Sequence, residues 1–377
     1  MNIGYGAGFF CLLLIVLNFI SIGVAMMRAK PRRAAMPAPL QGPSVSIVRP
    51  CCGLDNFCEE TLGSSFRLDY PNYELIFCVA RANDPVIGVI KKLITAHPNV
   101  AAQLIVGDEK VSANPKLNNC VRGWDAARSE WIVLADSNVL MPHDYVQRLF
   151  ARWGRKTGLV CSMPQGSHPA NIGAELECAF LNTFQARWQY CGEGFGNGFA
   201  QGKNMLWRKD LLEAHGGIRA LGAEIAEDAA STKVVRGAGC KVNLVDTPFE
   251  QPLGKRSVLD VWLRQVRWAR MRRKTFPAHF APEILAGGAL PIISGSYAAH
   301  LLGLNVPLVA LAVAALLYSA ESFMAIRNGW HFTWRTPFLL AVRDVMLPAI
   351  YVDAWLLDDF VWRGNAMTVR EEERPST

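Results

Sequence analysis

Residues 74–96, ELIFCVARANDPVIGVIKKLITA, contain a strand, a turn and a helix in succession, and they decide the class of fold. The first seven residues form a short apolar run of strand length, and residues 86–96 have the length of a helix. Asp84 and Pro85 stand between them, and proline suits the first turn of a helix. The stretch therefore predicts one β-α unit.

The same alternation extends on both sides of this unit. Strand-length apolar runs occupy residues 45–48, 74–80, 103–106, 131–135 and 159–163, and helix-length stretches occupy residues 58–68, 86–96, 116–128 and 145–153. Strict alternation of strand and helix predicts an α/β fold with a mostly parallel sheet. Ligands of such sheets bind at the carboxyl ends of the strands.

Composition indicates membrane segments in addition to this soluble region. Of the 377 residues, 51% are hydrophobic and only 19% are charged, against about 25% charged in ordinary soluble domains. Residues 5–27 carry no charge, and Arg28, Lys30, Arg32 and Arg33 follow them. This order predicts an uncleaved anchor over residues 1–28, a linker over 29–43 and a cytoplasmic catalytic region over 44–257.

Apolar density returns at residues 284–304, 306–326 and 337–357, which predicts C-terminal membrane segments over 284–358 and a multi-pass integral membrane protein. Gly287, Gly288 and Pro291 interrupt the first run, so a re-entrant or interfacial segment is the alternative. Three spans place the polar tail 363–377 outside the cytoplasm, and two place it inside. Glu321 and Asp344 lie within these runs and need water or a partner.

The net charge of +7, from 39 Lys and Arg against 32 Asp and Glu, is compatible with nucleic acid or with an anionic membrane. The basic clusters flank apolar runs and no nucleic-acid signature accompanies them, so we expect a membrane partner and no nucleic acid. The 10 cysteines contain no Cys-x-x-Cys pair and indicate reduced, mostly packed thiols.

Two predicted strands are followed by acidic residues. Asp84 is either the cap of the next helix or a carboxylate that binds a nucleotide base or ribose. Asp136 and Asn138 end the run 131–135 and offer one carboxylate and one amide oxygen, which suit Mg²⁺ or Mn²⁺ holding a diphosphate. Turn formation is the alternative for Asp136.

Glu224, Glu227 and Asp228 lie at the head of a predicted helix over residues 228–236. Acidic residues there complement the helix dipole, which is sufficient to explain Glu224. The adjacent pair Glu227 and Asp228 also suits a general base near a bound cation. The glycine-rich segment 192–198 is interpreted as a loop, because Gly202-Lys203-Asn204 does not fit a phosphate-loop motif.

Residues 258–276 predict an amphipathic interfacial helix. Its apolar stripe comprises Val258, Leu259, Trp262, Leu263, Val266 and Ala269. Arg264 and Arg267 stand three residues apart on the other side, where both can address one anion, and Trp268 can stack against a ring. A helix that binds only lipid headgroups is the alternative.

Taken together, these motifs resemble the ceramide glucosyltransferase family, among processive-type glycosyltransferases with the glycosyltransferase-A fold. The stretches that carry the resemblance are SIVRP at 46–50, LDYP at 68–71, NPKLNN at 114–119, DS at 136–137, RKD at 208–210, GG at 216–217, IAED at 225–228 and RQVRW at 264–268. The resemblance is close over residues 1–275 and extends to the tail only in hydropathy.

The resemblance implies transfer of glucose from UDP-glucose to the primary hydroxyl of ceramide at the cytoplasmic membrane face, with a divalent cation and inversion to a β-glucoside. Asp228 is implied as the base, supported by Glu227. Asp84, Lys116, Asp136, Arg264, Arg267 and Trp268 are implied in nucleotide-sugar binding, with Asp136 and Asn138 toward the metal. Alternatives are another UDP-sugar such as UDP-glucuronate or UDP-galactose, a hopanoid or glycerolipid acceptor, a polysaccharide synthase, or a lipid-binding adaptor without activity.

Overall fold

Strands and helices alternate through the first part of the chain, as a computed structural model shows for residues 3–31, 35–362 and 364–370. The strands are β1 (Val45–Cys51), β2 (Tyr73–Val79), β3 (Ala101–Val106), β4 (Trp131–Ala135), β5 (Thr157–Cys161), β6 (Pro164–Pro169), β7 (Asn204–Arg208), β8 (Lys241–Leu244), β9 (Phe249–Gly254), β10 (Asp359–Trp362) and β11 (Asn365–Thr368). The helices are α1 (Ile3–Arg28), α2 (Cys58–Ser64), α3 (Val86–Ala96), α4 (Pro115–Ala126), α5 (Tyr145–Phe150), α6 (Ile172–Cys178), α7 (Arg187–Gly194), α8 (Lys209–Glu213), α9 (Glu227–Gly237), α10 (Val258–Thr275), α11 (Pro277–Phe280), α12 (Ala289–Leu301), α13 (Val306–Arg327) and α14 (Thr336–Leu356).

Among the described residues, seven strands form the main sheet in the order β3-β2-β1-β4-β7-β5-β8. β1 is parallel to both β2 and β4, whereas β7 runs antiparallel to β4 and β5. The prediction of a mostly parallel α/β sheet is therefore confirmed, with β7 as the exception. Because β2 and β4 flank β1, the residues that follow each of them meet at the same edge of the sheet.

Both faces of this sheet are covered. All seven residues of β1 are buried, including the polar Ser46 and the charged Arg49, as expected for a central strand covered on both faces. One face packs on α2, α3 and α5, and the other packs on α4, α9 and the end of α1. Ile22 and Ala25 of α1 belong to the same core cluster as Trp124 and Trp207, so α1 and the sheet domain share a core.

Smaller elements surround the main sheet. β6 and β9 form a parallel pair, and β10 and β11 form an antiparallel hairpin at the end of the described chain. Residues 365–368, assigned from the sequence to the polar tail, belong to this hairpin, while residues 371–377 lie outside the described residues. Between α6 and α7 the helix continues as a π-helical stretch over Ala179–Ala186.

Two of the described helices, α1 and α13, are long and apolar enough to cross a membrane. A third candidate is the broken pair Pro277–Leu285 and Ala289–Leu301, bent by 44°. The break falls at Gly287 and Gly288, and the N–H of Gly288 donates to Asp344 Oδ2 over 2.7 Å. The third apolar run of the sequence corresponds to α14, which is not among the candidates.

Candidate active site

The carboxyl ends of the central strands open into a cleft of about 1020 Å³. All nine site residues inferred from the sequence line this cleft: Asp84, Lys116, Asp136, Asn138, Glu227, Asp228, Arg264, Arg267 and Trp268. They are far apart in the chain, and the sheet edge, the starts of α4 and α9 and one side of α10 bring them together. Their individual roles stay predictions.

The start of α4 fixes Lys116. Asn114 caps this helix, because its Oδ1 accepts the N–H groups of Lys116 at 2.9 Å and Leu117 at 3.2 Å. Pro115 occupies the first turn, where its missing N–H has no cost. The Nδ2 of Asn114 donates to Glu227 Oε2 over 2.7 Å. The cap therefore joins the start of α4 directly to the start of α9.

Lys116 and Lys203 lie on either side of Asp136. Lys116 Nζ is 2.7 Å from Asp136 Oδ1 and 2.6 Å from Glu227 Oε1, and it also donates to the carbonyl of Gly202. Lys203 Nζ is 2.8 Å from Asp136 Oδ2. Each oxygen of Asp136 thus accepts from a different ammonium group, and this buried network is charge-assisted throughout.

Burial and charge act in opposite directions on these groups. Burial opposes ionisation of Asp136, but Lys116 and Lys203 outweigh it and hold the pKa of Asp136 well below its usual range. Burial also opposes the charge of Lys116, yet Asp136 and Glu227 raise the pKa of Lys116. For Lys203 burial dominates and lowers the pKa of its ammonium.

Asp228 has a different environment from its neighbour Glu227. Its Oδ2 accepts the N–H of Gly202 at 3.0 Å and its Oδ1 accepts the N–H of Ala229 at 2.8 Å, while the side chain remains partly exposed in the cleft. Burial, followed by the charge of Glu227, raises the pKa of Asp228 to about 6. A carboxylate with this pKa is suited to accept a proton near neutral pH.

Asp84 joins two loops at the edge of the sheet. The N–H of Gly53 donates to both of its oxygens, at 3.1 and 2.9 Å, and the N–H of Val86 donates to Oδ1 at 2.9 Å. The bond to Val86 corresponds to the helix-capping role that the sequence offers for Asp84. Asp84 also lines the cleft, so the structure provides geometry for both interpretations.

The two arginines of α10 have separate neighbours. Arg264 forms an ion pair with the buried Glu177, and its Cζ lies 5.9 Å from the ring centre of Trp268. Arg267 has its Cζ 5.6 Å from the ring centre of Trp362. Both arginines line the cleft, but each is held against a different part of the protein, and their joint binding of one anion stays a prediction.

The apolar stripe predicted for α10 is only partly buried. The helix begins with a capping box, in which Asp260 N–H donates to Ser257 Oγ and Ser257 N–H donates to Asp260 Oδ2. Val266 and Ala269 of the stripe are buried, together with Val261, but Val258, Leu259 and Leu263 are exposed. An exposed apolar surface over the first turns is compatible with the interfacial helix inferred from the sequence, and that role of α10 stays a prediction.

Sequence reasoning missed the hairpin of β10 and β11 as a wall of the cleft. Val361, Trp362, Asn365, Ala366 and Met367 line it opposite the sheet. The hairpin is fixed because Phe360, Met367 and Val369 pack together with Ile225 and Met271. The two strands have four residues each, DFVW and NAMT, and show no regular apolar and polar alternation, so the sequence does not indicate a hairpin.

Lys203 and Glu177 were also missed. Lys203 follows the glycine-rich segment 192–198, which was interpreted as a loop, and Glu177 lies in a stretch to which no motif was assigned. Lys203 precedes β7, whose pairing with β4 brings it beside Asp136. The helix IGAELEC at 172–178 is apolar except for two acidic residues, Glu175 and Glu177, and such a pair in a short apolar helix is the signal that would have pointed to Glu177.

The residues around Asp136 do not form a divalent-metal site in this arrangement. Both of its oxygens already accept from ammonium groups, and Asn138 Oδ1 accepts from Lys203 at 3.2 Å. Within the described ranges, no cluster of three or more His, Cys, Asp or Glu residues has metal-binding geometry. The ammonium groups of Lys116 and Lys203 would repel a divalent cation placed beside Asp136 in this arrangement.

A family description extends over nearly all of this chain: Glycosyl transferase family 21 matches residues 13–375. This chain belongs to glycosyl transferase family 21. It is therefore a glycosyltransferase, and the resemblance inferred from the sequence motifs is confirmed.

Named relatives agree with this assignment. Ceramide glucosyltransferase 1 of Caenorhabditis elegans is 27% identical over 333 residues, which are 86% of this chain and 71% of the relative. Ceramide glucosyltransferase 3 of the same organism is 28% identical over 331 residues, which are 86% of this chain and 72% of the relative. A ceramide glucosyltransferase of Komagataella phaffii is 28% identical over 66% of this chain and 60% of its own length.

One solved structure with a related fold is the mannosyltransferase PcManGT of Pyrobaculum calidifontis, determined in complex with GDP-Man and Mn²⁺. It superposes with a TM-score of 0.55, covering 93% of this chain and 98% of the mannosyltransferase, at 16% sequence identity. At this identity the likeness concerns the fold alone. It agrees with the glycosyltransferase-A fold expected from the sequence.

Proposed function

We propose that this family 21 glycosyltransferase transfers glucose from UDP-glucose to the primary hydroxyl of ceramide at the cytoplasmic face of a membrane. The single observation that carries the proposal is Asp228: a carboxylate with a raised pKa, partly exposed in a cleft that basic residues also line. The names of the C. elegans and K. phaffii relatives support ceramide as the acceptor.

The proposed reaction is a single displacement. The oxygen of the acceptor hydroxyl bonds to the anomeric carbon of glucose, and its proton passes to Asp228. The bond from the anomeric carbon to the diphosphate breaks, and its electron pair leaves with UDP. Attack from the face opposite the leaving group inverts the configuration to the β-glucoside. General-base catalysis by a positioned carboxylate contributes about 10²–10⁴-fold.

The departing UDP develops negative charge that this chain can balance. Lys203, Arg264 and Arg267 all line the cleft, and their charges are fixed in place before the reaction. Preorganised cations cost no reorganisation when charge develops on the leaving group. Glu227 assists indirectly, because its contacts with Lys116 and Asn114 hold the start of α9 and so the position of Asp228.

The cytoplasmic orientation rests on the basic end of α1. Arg28 pairs with Glu193 and Lys30 pairs with Asp246, so these charges lie against the catalytic domain. Positive charge next to a membrane segment favours the cytoplasmic side. The end of α1 and the cleft are therefore proposed to share that side.

A turnover assay tests the proposal. The purified protein in lipid vesicles is supplied with UDP-glucose, UDP-galactose or UDP-glucuronate, each with ceramide, diacylglycerol or a hopanoid, and the lipids are analysed by mass spectrometry. Glucosylceramide as the main product supports the proposal. Preference for another donor or acceptor, a polymeric product, or no turnover with any pair overturns it in favour of the corresponding alternative.

Two variants locate the base in the same assay. Asp228→Asn is expected to reduce transfer by about 10²–10⁴-fold while UDP still binds, because only proton acceptance is lost. Glu224→Gln is the matched control, since Glu224 pairs with Lys233 outside the cleft. Retained transfer in Asp228→Asn reassigns the base.

The divalent cation predicted from the sequence stays a prediction. Treatment with EDTA, followed by addition of Mg²⁺ or Mn²⁺, tests it directly. Loss and recovery of transfer would mean that the reaction depends on a divalent cation, for which Asp136 and Asn138 would be the ligands expected from the sequence. Unchanged transfer would assign the charge balance to the lysines and arginines.

A further inference from the structure

The last helix, α14, contacts the catalytic region at both of its ends. Just before its start, Arg335 Nη1 donates to Glu175 Oε1 over 3.0 Å. Near its end, Asp353 Oδ1 is 2.6 Å from Arg270 Nη2 of α10. The Trp355 carbonyl accepts from Arg273 of the same helix at 3.2 Å. A helix that crossed a bilayer would leave the catalytic region at one end.

The charges in the middle of α14 also face the protein. Arg343 and Asp344 are fully buried. Arg343 Nη1 donates to Thr183 Oγ1 and to Glu321 Oε2, each over 2.7 Å. Asp344 Oδ2 accepts the N–H of Gly288. These contacts provide the partners that Glu321 and Asp344 need, and they hold α14 against the protein along its length.

The opposite face of α14 has no charge. Its exposed residues are all apolar, and we call them the α14 stripe: Phe338, Val342, Val345, Ala349, Val352, Trp355 and Leu356. The spacing of three and four residues places them on one side of the helix. From residue 338 to residue 356 the stripe extends about 27 Å. An apolar surface of this length marks a contact with membrane or protein.

The path of the chain also indicates that both ends of α14 lie on the same side of the membrane. α12 and α13 run out from the catalytic region and back to it, because Trp330, just after α13, packs in the core cluster that contains Trp124. After α14, the hairpin returns to the cleft, where the carbonyl of Asp359 accepts from Arg270. The segment between these two points must therefore begin and end on the same side.

We propose that α14 lies in the plane of the membrane surface, with the α14 stripe inserted among the lipid chains just below the headgroups. The partner of this surface is the bilayer. The α14 stripe exposes only apolar side chains, as do large parts of α1 and α13, which are the two candidate membrane spans. Helices with one apolar face and charges on the other bind membranes in this orientation, about 5–10 Å deep. This surface would hold the cleft at headgroup level.

Spin-label depth measurements test the orientation in the full-length protein, reconstituted in phosphatidylcholine vesicles. Single cysteines replace Phe338, Val345 and Val352 after the accessible Cys52, Cys58 and Cys240 are changed to Ser. All three target positions are on the surface, so the fold is retained, and circular dichroism checks it. A label at Ala96 on α3, outside the membrane helices, gives the reference for water.

The in-plane helix predicts that the three labels lie at one shallow depth within the acyl region. A crossing helix would separate positions 338 and 352 by about 21 Å along the membrane normal, and such a gradient would overturn the proposal. Labels as accessible to water as Ala96 would also overturn it, in favour of a protein partner. The measurement needs no turnover, so its failure is independent of the proposed activity.

Discussion

Replacing Lys116 with Met should destabilise the protein more than any other single change among the charged residues of the cleft. Lys116 is the contact shared by the half-buried Asp136, at 2.7 Å, and the buried Glu227, at 2.6 Å. Methionine has nearly the same length but no charge, so the change removes both ion pairs without leaving a large cavity. Asp136 then keeps Lys203 as a partner, and Glu227 keeps Asn114.

The magnitude follows from these remaining partners. Removing one member of a buried ion pair costs about 3–5 kcal/mol, and the partners that stay place Lys116→Met near the lower value. For a domain of this size each kcal/mol lowers the Tm by about 2–4 °C, so we expect a fall of roughly 6–12 °C. Lys203→Met should cost less, because Lys203 contacts one carboxylate instead of two.

The measurement is thermal unfolding of the purified variants in one detergent at pH 7. Because two lysines depress the pKa of Asp136, its stabilising contribution is fully present above its unfolded pKa of about 4. It is lost only as the pH falls through the depressed folded pKa, so pH 7 reports it completely. Adding Glu227→Gln to Lys116→Met should recover part of the loss, since it removes a charge left with a neutral partner.

Two results would refute this reasoning. One is a Tm for Lys116→Met within 2 °C of the parent protein, which would mean that water solvates both carboxylates in the cleft. The other is a larger loss for Lys203→Met than for Lys116→Met. In either case the network would not be the structural centre of the site.

Three further outcomes are expected. Burial raises the pKa of Asp228 to about 6, and the proposed base must be ionised to accept a proton. The value of kcat/KM should therefore fall about tenfold per pH unit below pH 6 and level off above it. A flat profile from pH 4.5 to 7 contradicts this role of Asp228. Gly202→Ala should reduce both Tm and transfer, because its methyl would lie 2.6 Å from Glu227 Oε1; unchanged values would show that the loop moves freely. Trp362→Ala removes the ring beside Arg267 and should weaken UDP binding about 5-fold, or roughly 1 kcal/mol, as isothermal titration would measure; unchanged binding excludes the hairpin from the donor site.

The sheet and the acidic strand ends could be predicted because their signals are local. A buried parallel strand is a continuous apolar run, and the residue that follows it is fixed at one edge of the sheet. Asp84 and Asp136 follow such runs. Each of these inferences needed fewer than ten neighbouring residues.

The missed residues depend on contacts that no local pattern contains. Glu177 meets Arg264 across 87 residues of chain, and the two are joined only because α6 and α10 pack together. Lys203 reaches Asp136 because β7 inserts antiparallel beside β4, where strand alternation predicts a parallel neighbour. The hairpin reaches the cleft only after the chain has passed through α12, α13 and α14.

The helix α10 connects the two surfaces on which a membrane glycosyltransferase depends. Toward its start, Arg264 and Arg267 line the cleft. Toward its end, Arg270 and Arg273 bind Asp353 and the Trp355 carbonyl of α14. Because one continuous helix carries both sets, the height of the cleft above the α14 stripe is fixed by a rigid element and not by a flexible linker. A lipid hydroxyl held at headgroup level would then meet Asp228 at a constant height, while its chains stay in the bilayer.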